Sequence, residues 1–91
     1  MRSVVSELET FIRRQFRVKP DDQYFTLDAN LWEEGYVDST GAIELIAHLE
    51  MTYGIVLSQE ALFDPAFTTI NGIAGLVERL MDRHHASARA S

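Results

Sequence analysis

Apolar residues recur at intervals of three and four in four stretches of the chain, and no stretch shows the strict alternation typical of a strand. Each stretch therefore predicts an amphipathic helix with one buried face. The predicted helices cover roughly Val4–Phe16, Ser39–Tyr53, a short segment within Ser58–Phe63, and a last segment that begins near Thr68 or Thr69. The fold class that follows is all-α, with four helices, a long first loop and a short third helix.

Three of these helices have polar or glycine residues where a helix begins or ends. Ser3 or Ser6 is expected to cap the first helix, and Ser58 the third, because serine oxygens accept hydrogen bonds from free backbone N–H groups. Gly54 follows the second helix at the position where a left-handed residue commonly ends one. Pro65 limits the extent of the third helix.

The first loop, residues 17–37, carries too many apolar side chains for a free linker. A loop of this length in a small domain is either packed down by its own side chains or functional, and we expect both. A single helical turn is predicted from Asn30 to Gly35. Trp32 is expected to cover the bundle rather than to bind a ligand.

The chain has 91 residues, which corresponds to one domain near the lower size limit for a stable hydrophobic core. We place this domain at residues 1–83 and expect 84–91, which are small and polar, to form a disordered C-terminal tail. The tail contains His84 and His85, but two adjacent histidines do not make a metal site.

The net charge of −6 is unevenly distributed. Residues 1–20 contain five basic and two acidic residues, which gives +3, whereas residues 21–82 contain twelve acidic residues and one basic residue, which gives −11. Such an acidic block repels phosphate backbones, so nucleic-acid binding is not expected. It either attracts a partner with a basic surface or simply keeps a small protein soluble.

Several classes of protein are excluded by composition. The chain contains no cysteine, which rules out disulfides, thiolate metal sites and a cysteine nucleophile. No apolar run approaches the length of about 18 residues needed to cross a bilayer, and Glu7 comes too early for the apolar stretch of a signal peptide. We therefore expect a cytoplasmic protein, and a monomer.

The segment with the most chemical information is Asp38-Ser39, at the predicted junction of the first loop and the second helix. Either residue could simply be the N-cap of that helix. Alternatively, a serine at a helix start is exposed, and the helix dipole and free N–H groups there stabilise an anion attached to it.

Ser39 lacks the partners of a catalytic nucleophile. His48, the nearest histidine, is nine residues further along the predicted helix. At about 100° per residue, it lies half a turn around the helix and more than two turns along it. The sequence also lacks a Gly-x-Ser-x-Gly elbow, so self-contained hydrolase chemistry is not expected.

The chain resembles the acyl carrier proteins over residues 4–82. The resemblance rests on the order of the predicted helices and on two segments. In the first, Leu31–Leu57, Asp38-Ser39 is followed by Leu45, Leu49-Glu50 and Tyr53-Gly54-Ile55; the second is Phe67-Thr68-Thr69-Ile70 with Ile73-Ala74 and Val77.

This resemblance implies a four-helix bundle and a protein that is not itself an enzyme. A phosphopantetheinyl transferase would move 4′-phosphopantetheine from coenzyme A to Ser39, with Asp38 as the acid before the attachment residue. The thiol of the arm would then carry acyl or aminoacyl groups as thioesters, in fatty-acid-like or specialised biosynthesis. The missing cysteines agree with a sulfur that arrives with the cofactor.

The sequence departs from the family pattern after the serine. Thr40 stands where the family usually has leucine, and Gly41 follows it. Met51 and Thr52 occupy positions where fatty-acid carriers often have acids. These departures leave the partner preference open and favour specialised cargo.

Ile43, Ala47 and Met51 are spaced by four, off the core face of the second helix. They are extra core, tolerated apolar residues on the surface, or a docking stripe for partner enzymes, with Glu44 as its charged rim and Thr40 beside it. We favour docking, because the family places partners near the serine.

The function predicted from the sequence is therefore a discrete carrier that works with separate loading and downstream enzymes. Two alternatives remain. One is an aminoacyl or peptidyl carrier loaded by a separate ligase, and the other is an acidic helical interaction module that is never modified.

Overall fold

The computed structural model describes residues 3–90, with side chains described as far as Asp82. Its four α-helices are α1 (Val4–Gln15), α2 (Ser39–Tyr53), α3 (Gln59–Phe63) and α4 (Ile70–Ala90), and residues 3–90 contain no strand. The predicted all-α fold with a long first loop and a short third helix is confirmed. Within the described part of the chain, no helix is long and apolar enough to cross a membrane.

The helix ends follow from local hydrogen bonding. The Ser3 hydroxyl accepts from the Ser6 N–H at 3.1 Å, and the Ser58 hydroxyl accepts from the Ala61 N–H at 3.2 Å. Each serine thereby satisfies a donor that has no partner inside its helix. Gly54 ends α2 in the left-handed conformation, with φ 63°. Of the two serines considered for α1, Ser3 is the cap.

Residues from all four helices and from the first loop form one hydrophobic core. Eight side chains have almost no exposed surface: Leu8, Ile12, Leu31, Leu45, Leu49, Ile70, Ile73 and Val77. Seven of them lie on the helices, and Leu31 comes from the first loop. No polar or charged side chain is buried among the described residues. Burial of apolar surface is therefore the main stabilising contribution inside the bundle.

The junction before α4 differs from the prediction. Pro65–Thr68 forms a 3₁₀ turn that the sequence analysis does not predict, and α4 begins at Ile70, directly after Thr69. The Thr69 hydroxyl accepts from the Gly72 N–H at 2.9 Å and caps α4. Proline is suited to the first position of such a turn because its φ angle is already close to the helical value.

The backbone of α4 continues to Ala90. The side chains beyond Asp82 lie outside the described residues, as does Ser91. The boundary between a carrier domain at 1–83 and a disordered tail at 84–91 remains a prediction.

The first loop is held down by hydrogen bonds to the far end of the chain. The Leu31 N–H donates to the Thr68 carbonyl at 2.8 Å, and the Asn71 N–H donates to the Leu27 carbonyl at 3.0 Å. The Trp32 indole donates to the Phe67 carbonyl at 3.1 Å, so it covers the bundle as expected. These bonds fix the loop just before it reaches α2.

The predicted turn from Asn30 to Gly35 is also present. The Asn30 side chain accepts from the N–H groups of Trp32 and Glu33 at 3.1 and 3.0 Å. Gly35 has φ 80°, a left-handed conformation that glycine adopts without steric cost.

Arg17 is the one described residue other than glycine with a positive φ, at 53°. It follows α1 at the position where glycine is usual, and the next N–H, that of Val18, donates to the Arg13 carbonyl at 3.0 Å. We expect Arg17→Gly to stabilise the fold by about 0.5–1 kcal/mol, because the steric cost of the left-handed conformation disappears. Urea unfolding would measure this, and a loss of stability would contradict it.

Candidate functional site

Contacts at both ends of α1 and α2 set the two helices antiparallel and place the start of α2 beside the end of α1. At one end, the Tyr53 hydroxyl donates to Glu7 Oε2 at 2.8 Å. At the other, Gln15 Nε2 donates to Glu44 Oε2 at 2.7 Å. The site at the start of α2 is thus held by the end of α1 and by the first loop.

Gly41 allows this close approach. It is buried, and a Cβ atom added there would collide with the ring of Phe16. The sequence marked Gly41 only as a departure from the family pattern. In the structure, the missing side chain makes room for the aromatic ring that closes α1 against α2.

Ser39 is the first residue of α2, and Asp38 is its N-cap. Asp38 Oδ1 accepts from the Gly41 N–H at 2.7 Å, and the Asp38 carbonyl accepts from the Ala42 N–H at 2.8 Å. Asp38, Ser39 and Thr40 are all exposed. The capping alternative therefore applies to Asp38, which leaves the Ser39 hydroxyl free of that role.

The residues at this site suit an attached phosphodiester. The first turn of α2 contains no acidic residue, and the N–H groups of a first helical turn have no partners inside the helix. An anion on Ser39 would lie at the positive end of the dipole of a 15-residue helix. The 4′-phosphopantetheine that the resemblance implies would supply a thiol that carries acyl groups as thioesters. The chain itself would contribute an exposed hydroxyl and a favourable electrostatic field.

The residues that face Ser39 do not form a nucleophile–base pair. His48 lies at the interface with α1, where its ring stacks on Phe11 with centroids 3.7 Å apart and planes 4° apart. Its Nδ1 is 3.4 Å from the Thr52 hydroxyl. Among the described residues, none makes a hydrogen bond to the Ser39 hydroxyl.

The stacked position of His48 predicts a pH-dependent stability. Burial lowers the pKa of the His48 imidazole below its usual value, while the Glu7 carboxylate partly opposes this. A lowered pKa favours the neutral ring in the folded state, so this contribution to stability is present above the ordinary pKa of about 6.5 and is lost as the pH falls through the lowered value.

We therefore expect the free energy of unfolding to fall between pH 7.5 and pH 5.5, and to fall less in His48→Gln. Urea unfolding of both proteins at the two pH values measures the difference. Identical pH dependence would show that His48 does not contribute.

The predicted docking stripe lies on the surface. Ile43 is 69% exposed and Met51 is 86% exposed, and Ala47 is exposed between them. Extra core is therefore wrong for these side chains, whereas a docking stripe and tolerated surface residues both agree with their exposure. Glu44 is also exposed, and its carboxylate accepts a hydrogen bond from Gln15 of α1.

Two further exposed apolar residues, Val56 and Phe63, were not predicted. They are 80% and 84% exposed. Val56 lies between buried Ile55 and Leu57 in the connector after α2, so the three residues alternate as in an extended segment. This local alternation in an apolar run is the signal that could have revealed Val56.

Glu50 has a structural role. Its Oε2 accepts from the Leu57 N–H at 2.9 Å and holds the connector between α2 and α3 against α2. Of Glu44 and Glu50, the two acids of α2, Glu44 is thus the exposed one.

Comparison with known proteins gives one result for the family and none for individual relatives. No curated protein matches the chain significantly. The family model described as "Phosphopantetheine attachment site" matches residues 6–77, which include all of α2, all of α3 and the greater part of α1. This match agrees with the helix order and with the exposed serine at the start of α2. The chain therefore belongs to the phosphopantetheine attachment-site family, whose members are carriers of the acyl carrier protein type and bear a 4′-phosphopantetheine group.

Proposed function

We propose that this carrier bears its 4′-phosphopantetheine arm on Ser39 and presents acyl or aminoacyl groups, held on the arm as thioesters, to separate biosynthetic enzymes. The observation that supports Ser39 most strongly as the attachment residue is that two adjacent residues have different roles at the start of α2. Asp38 caps the helix through its Oδ1, and the adjacent Ser39 is exposed with its hydroxyl unused. Ser39 also lies well inside the matched range 6–77.

Loading by a transferase tests this proposal directly. The purified protein is incubated with coenzyme A and a broad-specificity phosphopantetheinyl transferase, and its intact mass is recorded. We expect a gain of one phosphopantetheine per chain. No gain with several transferases would overturn the proposal and favour the unmodified interaction module.

The enzymes that act on the arm are proposed to dock on α2 beside Ser39. The docking stripe, formed by Ile43, Ala47 and Met51, exposes an apolar surface on the helix that begins with Ser39. An apolar centre with a charged rim is the usual build of a protein interface, and Glu44 and Thr40 supply polar groups at its border. Asp38 lies at the end of the stripe nearest the serine.

Ile43→Glu tests the stripe. We expect this change to reduce the kcat/KM for loading by a transferase about tenfold, the typical cost of losing an apolar contact near the centre of an interface. Because Ile43 is 69% exposed, the fold should be unaffected, and circular dichroism checks this.

Tyr24→Glu is the matched control. Tyr24 is 77% exposed in the first loop. The variant therefore replaces an exposed, largely hydrophobic side chain with a carboxylate, as Ile43→Glu does, but outside the stripe. Equal loading of wild type and Ile43→Glu, or equal losses in the two variants, would contradict docking through the stripe.

The proposed cargo follows from the departures around the serine. Thr40 in place of leucine, and Met51 and Thr52 in place of acids, favour a specialised acyl pathway, or an aminoacyl carrier loaded by its own ligase, over the common fatty-acid carrier. The proposed location is the cytoplasm, and the proposed form is a monomer. Incubation of the loaded carrier with candidate acyl and amino acids and ligases, followed by intact mass measurement, distinguishes these cargoes.

A further inference from the structure

A shallow depression opens beside Ser39. Its walls are formed by Trp32, Val37, Asp38, Ser39 and Ala42. Three of these five side chains are apolar, and Asp38 Oδ1 is engaged by the Gly41 N–H at 2.7 Å. The surface next to the Ser39 hydroxyl is therefore largely apolar.

The indole of Trp32 is a fixed wall of this depression. Its Nε1 donates to the Phe67 carbonyl at 3.1 Å, and the ring stacks on Phe67 with centroids 6.3 Å apart and planes 23° apart. The backbone N–H of Trp32 donates to Asn30 Oδ1 at 3.1 Å. The indole remains only half-buried, so it presents apolar surface that needs no rearrangement before a ligand covers it.

Val37 and Ala42 complete the apolar wall and are also held in place. The Val37 N–H donates to the Leu31 carbonyl at 3.0 Å, and the Ala42 N–H donates to the Asp38 carbonyl at 2.8 Å. The depression is thus preformed from two elements, the end of the first loop and the first turn of α2.

The chemistry of the arm indicates which part of it fits here. A phosphate joins the serine oxygen to the pantoyl unit, in which one carbon bears two methyl groups. The units beyond the pantoyl group contain polar amides. The two methyl groups are therefore the first apolar part of an arm attached at Ser39, and covering an apolar wall removes both surfaces from water.

We propose that the depression formed by Trp32, Val37 and Ala42 binds the geminal methyl groups of the pantoyl unit. This proposal rests on attachment of the arm at Ser39. In this arrangement the start of the arm lies along the end of the first loop. Only the part of the arm beyond the pantoyl unit then moves freely.

The test uses the loaded wild-type protein. Intact mass first establishes that each chain carries one arm. We then expect nuclear Overhauser effects between the two methyl groups and the indole protons of Trp32, which is the only tryptophan in the chain, and methyl shifts that differ from those of free 4′-phosphopantetheine. An attached arm with free-like methyl shifts and no such effects overturns the subsite alone. Absence of the arm from the mass spectrum overturns attachment, and the subsite with it.

A pair of variants separates the depression from the rest of α2. Ala42→Glu places a carboxylate in the depression and leaves Trp32 in place, so we expect the methyl shifts to return to those of the free arm. Thr52→Glu adds the same charge at an exposed position near the other end of α2, and should leave the shifts of the loaded wild type unchanged. Unaltered shifts in loaded Ala42→Glu would overturn the proposal.

Discussion

Ser39→Ala is expected to abolish loading with phosphopantetheine completely. The substitution removes the one hydroxyl to which the arm is proposed to bond. The adjacent Thr40 hydroxyl lies about 100° further around the helix, so it does not occupy the same point. The fold should be unaffected, since Ser39 is exposed and the cap of α2 is formed by Asp38. Intact mass after incubation with coenzyme A and a transferase measures the loss.

Ser58→Ala is the matched control for this prediction. Ser58 is also an exposed serine at a helix start, but its hydroxyl is used to cap α3 through the Ala61 N–H at 3.2 Å. Loss of that cap should lower stability by about 1 kcal/mol and leave loading intact. A normal mass gain in Ser39→Ala, or its absence in Ser58→Ala alone, would assign the arm to a residue other than Ser39.

The helices could be predicted because periodicity and capping point to the same boundaries. The sequence predicts the second helix at about Ser39–Tyr53, because Asp38 is a strong N-cap and Gly54 a strong stop signal. The structure has these bounds. For the start of α4 the sequence leaves Thr68 and Thr69 open, because both are plausible caps by residue type, and the structure selects Thr69. The bonds that separate them, from Leu31 N–H to the Thr68 carbonyl and from Asn71 N–H to the Leu27 carbonyl, join parts of the chain far apart in sequence.

The site could be predicted only in part for the same reason. A serine after a capping residue is a local pattern, so its exposed position at the start of α2 was within reach of sequence reasoning. The depression beside it depends on how the first loop is attached to the 3₁₀ turn at Pro65–Thr68. That attachment is made by backbone carbonyls, which carry no signature in the side-chain sequence.

The same 3₁₀ turn is the basis of a large stability prediction, for Gly72→Ala. A Cβ atom at Gly72 would collide with the backbone of Ala66, with the Ala66 carbonyl carbon only 2.8 Å away and its Cα 3.0 Å away. A backbone neighbour cannot rotate aside as the end of a side chain can. We expect a loss of about 2–3 kcal/mol in the free energy of unfolding, at the upper end of the usual cost of overpacking.

The loss should also reach the site. Ala66 precedes Phe67, whose carbonyl accepts from the Trp32 indole. A displacement of the 3₁₀ turn would therefore also shift the indole, which forms one wall of the depression beside Ser39. Tryptophan fluorescence of the folded variant would therefore differ from that of wild type, whereas a purely local clash in α4 would leave it unchanged.

Gly75→Ala provides the comparison that isolates the clash. Gly75 lies three residues further along the same helix, and an added Cβ would meet no atom within 4 Å. Alanine is a better helix former than glycine by about 1 kcal/mol, so this variant should be more stable than wild type. Urea unfolding of the two variants is thus expected to shift in opposite directions. A stabilised Gly72→Ala would mean that the 3₁₀ turn can yield, and would contradict a rigid attachment of the first loop to it.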